Sequence, residues 1–199
     1  LRILNIDFTE FEKSPILRFS YRYHNIPTKK LMNLLSKQKT LKLIGRMHSV
    51  QDIIDVFGKL RRMGFPVINM DLIAGLPGET EKDMDDTLEQ IARLAPDNFT
   101  VHTLAIKKGS RLKELAGDYP LPGPANTAAM VRLAARCAAS MGMFPYYLYR
   151  QKYMTGNLEN IGYTKPGSES LYNIHSIEER QTIIGIGPAA TTKFVAPDW

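Results

Sequence analysis

Cysteine is almost missing from this sequence, which has a single one, Cys137, among 199 residues. One thiol excludes an internal disulfide framework and any cysteine-based zinc or iron–sulfur site built by this chain alone. Apolar runs are short as well, since none approaches the roughly 18 consecutive residues of a membrane-spanning helix. The first five residues lack the basic start and apolar run of a signal peptide. We therefore predict no membrane span and a cytoplasmic location.

Blocks of like charge are also lacking, although the net balance is positive. The formal net charge is +6, which suits a nucleic acid, an anionic surface or a polyanionic small molecule, and equally a mildly basic surface without a specific partner. Residues 18–24 interleave arginine with tyrosine and histidine, a combination that can stack on nucleobases. A half-exposed β-strand explains these residues more simply, so we predict no nucleic-acid partner.

Helix and strand patterns alternate along most of the chain. Residues 49–52 and 80–83 are capping pairs, and apolar residues at helical spacing follow each of them. Residues 67–73 are almost continuously apolar, which is typical of a parallel strand buried on both faces, and residues 99–106 predict another strand. Such βα units of about 30 residues suit right-handed crossovers, but there are too few for a closed eight-stranded barrel. The predicted fold class is therefore α/β, with half a barrel or part of an open parallel sheet.

Shorter or less regular patterns predict the remaining elements. They are strands over residues 1–8 and 16–23, a short helix over 29–35, an alanine-rich helix opened by Asn126 or Thr127, and strands over 144–149 and 182–184.

Two charged residues beside the predicted strands are candidates for binding a ligand. Asp71 interrupts an apolar strand, where a carboxylate is costly unless another group pairs with it. A ribose hydroxyl, an ammonium group or an arginine would serve, and so would a purely structural partner, either the backbone or Arg46. Arg46 precedes a helix start and could hold a carboxylate with both ends of its guanidinium. The glycine turn at residues 75–78 matches neither common phosphate-binding motif.

A tyrosine-rich stretch over residues 146–163 is the second candidate region. It combines tyrosines with an arginine, a lysine and several amides, and it has little apolar periodicity. Arginine and lysine pair with carboxylates or phosphates, and tyrosine rings can cover a flat ligand. A polar surface loop is the alternative. The glycine-rich residues 185–191 are a further place where the backbone could approach a ligand closely.

These residues carry a family resemblance. Residues 69–79, NMDLIAGLPGE, resemble a late barrel strand of oxygen-independent coproporphyrinogen III oxidases, also called coproporphyrinogen dehydrogenases, of the radical S-adenosylmethionine superfamily. Residues 38–50, QKTLKLIGRMHSV, fit the preceding helix and turn. The block over residues 146–194 is similar to the C-terminal signature of the Firmicutes-type branch: YYLYRQKYMTGNLENIGYTKPGSESLYNIHSIEERQTIIGIGPAATTKF.

The resemblance implies three regions and a large gap. Residues 1–36 would be a remnant of the pre-barrel region, residues 38–145 the C-terminal part of the radical SAM βα barrel, and residues 146–199 a C-terminal substrate-covering segment. The CxxxCxxC loop that holds the family's [4Fe–4S] cluster is absent, as is the Gly-Gly-Thr-Pro turn. Several βα units, on the order of 100 residues, are therefore missing before residue 38.

The resemblance also assigns residues to a cofactor and a substrate. S-adenosylmethionine would meet Arg46 at its carboxylate, Asp71 at its ribose, Ala105 near its adenine, and Thr191. Together with the tyrosine-rich stretch, the resemblance predicts a substrate site in which Arg150 anchors a propionate. That substrate set is Tyr146, Tyr149, Arg150, Gln151, Asn157 and Tyr163. No catalytic residue and no metal ligand of this chain is assigned.

The implied activity is an oxidative decarboxylation in haem biosynthesis. Two propionates of coproporphyrinogen III would each lose a hydrogen atom, CO₂ and one electron, which gives the vinyl groups of protoporphyrinogen IX. An electron donor or acceptor is an implied partner. The chain alone should be inactive because the cluster ligands are missing. The alternative is a haem-binding or haem-delivery protein of the same superfamily.

Overall fold

The first long helix, α1 (Val50–Arg62), begins at the predicted capping pair. The computed structural model describes residues 17–20, 28–31, 40–41, 48–105, 120–150, 154–178, 182–184 and 192–195. At the start of α1 the Ser49 hydroxyl accepts a hydrogen bond from the Asp52 N–H at 3.1 Å. The Asp52 carboxylate accepts from the Ser49 N–H at 2.7 Å. The helix ends before Gly64, whose φ of 77° is the left-handed conformation that glycine adopts without a steric cost.

The second long helix, α2 (Glu81–Leu94), starts in the same way. The Thr80 hydroxyl and backbone N–H both donate to the Asp83 carboxylate, at 2.7 and 2.8 Å. Both capping boxes satisfy backbone N–H groups that a helix start otherwise leaves without partners. Each helix buries one apolar stripe, composed of Ile53, Phe57 and Leu60 in α1 and of Met84, Leu88 and Ile91 in α2.

Six strands of the described residues form one mixed sheet in the order β1-β2-β3-β4-β6-β5. In chain order they are β1 (Leu17–Ser20), β2 (Thr28–Leu31), β3 (Val67–Ala74), β4 (Asn98–Thr103), β5 (Phe144–Tyr149) and β6 (Asn160–Thr164). The pairs β2–β3 and β3–β4 are parallel, whereas β1–β2, β4–β6 and β5–β6 are antiparallel. The predicted α/β class with parallel strands is confirmed, and the tyrosine-rich segment extends the sheet as an antiparallel pair.

The two faces of β3 and β4 differ in polarity because side chains alternate along a strand. One face packs under α1, α2 and the alanine-rich helix α3 (Pro124–Ser140), and its core residues are essentially inaccessible: Ile68, Met70, Leu72, Phe99 and Val101. The other face carries Asn69 and Asp71 on β3 and Thr100 and His102 on β4. We call these four residues the polar face. A last helix, α4 (Leu171–Glu178), contacts β5.

Several predicted elements differ from the structure. The helix predicted over residues 29–35 is wrong where it is described, since Thr28–Leu31 is strand β2 and pairs with the edge of β3. Its leucines suited a helix locally, but sheet pairing decided the conformation. Helix α3 begins at Pro124 with Gly123 as its N-cap, earlier than predicted, because proline suits the first helical position. The apolar residues 182–184 form only an isolated bridge, from Ile183 to Lys193.

Other predicted elements are confirmed or lie outside the described part. The strand predicted over residues 16–23 is confirmed at Leu17–Ser20, the part of it that the structure describes. The strand predicted over 99–106 is confirmed as Asn98–Thr103, one residue earlier at its start and shorter at its end. Phe144–Tyr149 is a strand as predicted. The strand predicted over residues 1–8 lies outside the described residues. Among the helices of the described residues, none has the length and apolar character needed to cross a membrane.

Candidate functional site

Asp71 lies at the centre of the polar face and is almost fully buried, with 4% of its surface exposed. Asn69 lies two residues earlier on β3, and its Nδ2 donates to Asp71 Oδ1 at 2.8 Å. His102 Nε2 lies 3.6 Å from Asp71 Oδ2, which is an ion-pair distance and longer than a hydrogen bond. These neighbours moderate the cost of burying the carboxylate. Arg46, the partner considered from sequence, lies outside the described residues.

Thr100 connects the polar face to the tyrosine strand β5. Thr100 is opposite Asp71 in the parallel register, and its Oγ1 lies 3.5 Å from Asn69 Oδ1 and 2.9 Å from the Tyr147 hydroxyl. Burial raises the pKa of Tyr147 well above that of an ordinary phenol, although the hydrogen bond with Thr100 opposes the shift. Tyr147 is therefore protonated at neutral pH and can donate to Thr100, which can in turn donate to Asn69.

A second connection from β5 runs through His102. The Tyr149 hydroxyl lies 3.3 Å from His102 Nδ1, and the two rings meet edge to face with centroids 6.4 Å apart. The Tyr147 and Tyr149 rings are stacked, with an interplanar angle of 8° and centroids 6.2 Å apart. Two chains of contacts therefore connect the stacked rings of Tyr147 and Tyr149 with the two oxygens of Asp71. One passes through Thr100 and Asn69, and the other passes through His102.

Gly162 allows the Tyr147 ring to lie across the sheet. Gly162 is on β6, between β4 and β5, and pairs with both Thr100 and Tyr147. A Cβ atom at this position would overlap the Tyr147 ring. The β5–β6 register shifts between Pro145 and Tyr147, a bulge of the kind that redirects side chains beside functional sites. The absence of one side chain thus lets the Tyr147 hydroxyl reach β4.

The other predicted substrate residues have varied surroundings. The Tyr146 hydroxyl accepts a hydrogen bond from Asn173 Nδ2 on α4, at 3.0 Å. Arg150 forms a 2.6 Å ion pair with Glu159, and 58% of its side chain is exposed. Asn157 is exposed in the 3₁₀ turn Thr155–Asn157. Tyr163 is 4% exposed and packs on Phe99, with centroids 5.4 Å apart, in the core beneath the opposite face of the sheet. Gln151 lies outside the described residues.

The predicted cofactor residues are described only in part. Ala105 follows β4 and bridges to Met154, while the preceding Leu104 N–H donates to Ala74 O at 2.9 Å at the carboxyl end of β3. Asp71 on β3 and Ala105 just beyond the end of the neighbouring parallel strand β4 therefore lie towards the sheet edge where ligands of such folds bind. Thr191, like Arg46, lies outside the described residues.

Asp71 and Tyr149 are candidates from the sequence, but the sequence analysis missed the contacts that connect them. The missed residues are Asn69, Thr100, His102 and Tyr147. The alternation of side chains along 69–71 and 100–102 was a usable signal, because it places each pair on one face of its strand. The register between β3 and β4, which brings the two pairs together, has no signal in the local sequence.

The described residues do not fit an iron–sulfur cluster. No group of three or more His, Cys, Asp or Glu side chains in this part of the chain could hold a metal ion. Cys137, the chain's one cysteine, is on α3, and its Sγ lies 3.7 Å from Leu88 O. Burial raises the pKa of the Cys137 thiol, which disfavours the thiolate that metal binding needs.

Comparison with known proteins places this site in a family. The sequence profile described as the Radical SAM superfamily matches residues 31–91, which include β3 and Asp71. In this region the chain is similar to the radical SAM superfamily. The resemblance to coproporphyrinogen III oxidases is confirmed by 45% identity over 162 residues with an oxygen-independent coproporphyrinogen-III oxidase-like protein, HemZ, of Bacillus subtilis strain 168. The match covers 81% of this chain and 32% of that relative.

Two further comparisons bear on the fold and on the range of functions. The heme chaperone HemW of Bacillus subtilis strain 168 is 26% identical over 136 residues, covering 67% of this chain and 33% of HemW. The solved structure of coproporphyrinogen III oxidase (HemN) from Escherichia coli, a radical SAM enzyme, superposes with a TM-score of 0.61 at 18% identity. That superposition covers 83% of this chain and 38% of HemN, and it shows a shared fold. The chain thus spans about a third of the length of the proteins it matches.

Proposed function

We propose that this chain forms the cofactor- and substrate-facing part of a radical SAM enzyme that oxidises coproporphyrinogen III to protoporphyrinogen IX. Asp71 carries the proposal, because it is a buried carboxylate among uncharged polar groups and a histidine, beside a strand of tyrosines. A carboxylate in such a setting suits the two hydroxyls of a ribose, since ionised acceptors form the stronger hydrogen bonds. The 45% identity with HemZ supports this assignment over other superfamily members.

The residues present fit S-adenosylmethionine but not the cluster. Asp71 would hold the ribose, Arg46 the carboxylate, and Ala105 and Thr191 the remaining contacts. When bound, S-adenosylmethionine supplies the radical that removes hydrogen. Because one cysteine cannot hold a [4Fe–4S] cluster, we derive no step of the chemistry for this chain. The residues of this chain would bind and orient the cofactor and the substrate and shield them from solvent.

The tyrosine strand would cover the tetrapyrrole. Tyr149 and Tyr146 lie on β5 next to Arg150, whose planar guanidinium matches a propionate. Arg150 is held by Glu159 at 2.6 Å, so a substrate carboxylate would replace the Glu159 carboxylate as its partner. Gln151 and Asn157 complete the substrate set proposed from sequence, whereas Tyr163 packs on Phe99 in the core and would support the sheet from its opposite face. An electron donor or acceptor completes the set of partners, and a cytoplasmic location would suit it.

Binding of an adenosyl ligand tests the proposal without requiring turnover. 5′-Methylthioadenosine has the adenine and ribose of the cofactor and can be titrated into the 199-residue chain by calorimetry. We expect Asp71→Asn to weaken its binding by about tenfold or more, because charge-assisted hydrogen bonds are lost. The melting temperature should change little. Failure of the unsubstituted chain to bind, or a collapse of the melting temperature with unchanged affinity, would contradict the proposal.

Haem binding without oxidation is the second candidate, favoured by the similarity to HemW. Both functions place a tetrapyrrole against the tyrosine strand, so affinity for a porphyrin alone does not separate them. The discriminating comparison is hemin against coproporphyrin III, which carries four carboxylates. Tighter binding of hemin, together with no preference for an adenosyl ligand that has ribose hydroxyls, favours haem handling.

A further inference from the structure

We propose that His102 and Tyr149 are positioning residues for Asp71, so that the tyrosine strand β5 orients the Asp71 carboxylate that would bind the cofactor ribose. The inference rests on the proposed function, since it assumes that Asp71 receives the ribose. It adds that the cofactor side and the substrate side of the site are one connected unit.

The first step of the argument is the placement of His102 between Asp71 and Tyr149. In the β3–β4 register His102 is opposite Ile73, so it is the diagonal neighbour of Asp71, a spacing that a long side chain can bridge. Its Nε2 lies 3.6 Å from Asp71 Oδ2 and its Nδ1 lies 3.3 Å from the Tyr149 hydroxyl. Both nitrogens of one imidazole therefore face groups on different strands.

Hydrogen-bond chemistry gives this arrangement a direction. An ionised carboxylate attracts a hydrogen on Nε2 electrostatically at 3.6 Å and offers no hydrogen of its own, so Nε2 is the nitrogen that we expect to be protonated. In the neutral ring Nδ1 is then an acceptor, and it accepts a hydrogen bond from the Tyr149 hydroxyl. Tyr149 therefore selects the tautomer of His102 that presents a donor to Asp71. Tyr149→Phe would remove the hydrogen bond to Nδ1, so the protein would no longer favour this tautomer of His102.

The opposite oxygen of Asp71 is fixed by a second chain. Asn69 Nδ2 donates to Oδ1, Asn69 Oδ1 faces Thr100, and Thr100 meets the Tyr147 hydroxyl. This chain is deeply buried, since Thr100 is inaccessible and Tyr147 is 9% exposed. The His102 side chain is more open, at 23%. The Tyr149–His102 branch is therefore the one that a ligand on β5 can alter.

The consequence is a selective effect on ribose recognition. If His102 orients the Asp71 carboxylate, loss of the imidazole should weaken binding of a ligand that has two ribose hydroxyls. The affinity for a ligand without these hydroxyls should not change. Damage to the fold would weaken both ligands equally. The comparison of 5′-methylthioadenosine with its 2′,3′-dideoxy analogue therefore separates a positioning role from a structural one.

The experiment titrates both ligands into the full chain and its variants. We expect His102→Leu to lose about tenfold in affinity for the hydroxylated ligand only, whereas His102→Gln retains most of it because the glutamine amide can still donate. Tyr149→Phe should give a smaller selective loss of about threefold, since one neutral hydrogen bond is removed. Asn173→Ala is the matched control, because it removes the partner of the neighbouring Tyr146 hydroxyl, outside the route to Asp71.

A ligand-free measurement completes the test. Nitrogen-15 NMR distinguishes protonated from bare imidazole nitrogens, and we expect His102 to carry its proton on Nε2 in the unsubstituted chain and to lose this preference in Tyr149→Phe. His102→Gln assigns the resonance among the four histidines. The inference is overturned if the protonated nitrogen of His102 is unchanged in Tyr149→Phe, or if His102→Leu loses equal affinity for both ligands. In either case the proposed function still stands if Asp71→Asn loses affinity for the hydroxylated ligand alone. No preference for the hydroxylated ligand in the unsubstituted chain overturns both.

Discussion

Gly162 and Tyr147 are paired across β6 and β5, and the Tyr147 ring occupies the space that a side chain at position 162 would need. The ring is buried, and its hydroxyl is 2.9 Å from Thr100 Oγ1. The hydrogen bond between Tyr147 and Thr100, one of the two that join β5 to the polar face, therefore depends on the absence of a Cβ atom at position 162.

Gly162→Ala should consequently destabilise the chain and disconnect Tyr147 from Thr100. The added methyl group displaces the ring, and overpacking of this kind costs about 1–3 kcal/mol. Urea unfolding of the variant measures the cost as a change in the free energy of unfolding. In a Tyr147→Ala background the same glycine substitution should be nearly neutral, since the overlap is gone. Equal costs in both backgrounds would show that the ring does not occupy this space.

The capping box of α1 predicts a pH-dependent contribution to stability. Hydrogen bonds from the Ser49 backbone N–H and then from its hydroxyl hold the pKa of Asp52 below its ordinary value of 3.8, and His48 adds a smaller effect. A carboxyl whose pKa is lowered by folding stabilises the folded state above the unfolded pKa, and this contribution disappears as the pH falls through the folded pKa. Asp52→Asn should therefore reduce the free energy of unfolding at pH 7 and make little difference near pH 2.

Asp55→Asn is the matched control for this prediction. Asp55 is exposed on the same helix and accepts a hydrogen bond from Gln51 Nε2, so its substitution removes an equal charge without touching the cap. Urea unfolding across the acid range would show a pH-dependent gap for Asp52→Asn and a smaller gap for Asp55→Asn. Identical curves would mean that the charge of α1, and not its cap, sets the pH dependence.

The sequence predicted what depends on neighbours in the chain. Ser49 and Asp52 are three residues apart, so the cap is a local arrangement, and Asp71 was notable because a carboxylate interrupts an apolar strand. The pairing of Asp71 with His102 depends on the register of β3 and β4, a non-local property that hydrophobic pattern alone does not determine. The strand Thr28–Leu31 was predicted as helix for the same reason, because its conformation comes from pairing with β3.

The cysteine content predicts the result of cluster reconstitution. A [4Fe–4S] cluster needs several thiolates, and this chain has only Cys137, whose thiol is partly buried on α3. Anaerobic treatment with iron and sulfide should leave no stable brown absorption after desalting, and Cys137→Ala should behave identically. A cluster that persists on the unsubstituted chain would contradict this prediction and would require ligands other than a cysteine set.

The ion pair of Arg150 with Glu159 leads to two opposite predictions for porphyrin binding. If Arg150 anchors a propionate, Glu159 competes with the ligand for the same guanidinium, so Glu159→Gln should tighten binding of coproporphyrin III. An exposed pair of this kind is worth about 0.2–1 kcal/mol, which limits the gain to a few-fold. Arg150→Lys should weaken binding, because an ammonium group lacks the planar geometry that matches a carboxylate.

Absorbance titrations of the porphyrin measure both effects, with Arg132→Lys as the control, since Arg132 is exposed on α3 and belongs to neither proposed site. Higher salt should reduce the difference between Glu159→Gln and the unsubstituted chain, because exposed charges are screened. If Glu159→Gln and Arg150→Lys both weaken porphyrin binding, Glu159 supports the position of Arg150 and does not compete with the ligand for its guanidinium. Unchanged affinity in both would place Arg150 outside the substrate site and leave its contact with Glu159 as a surface ion pair.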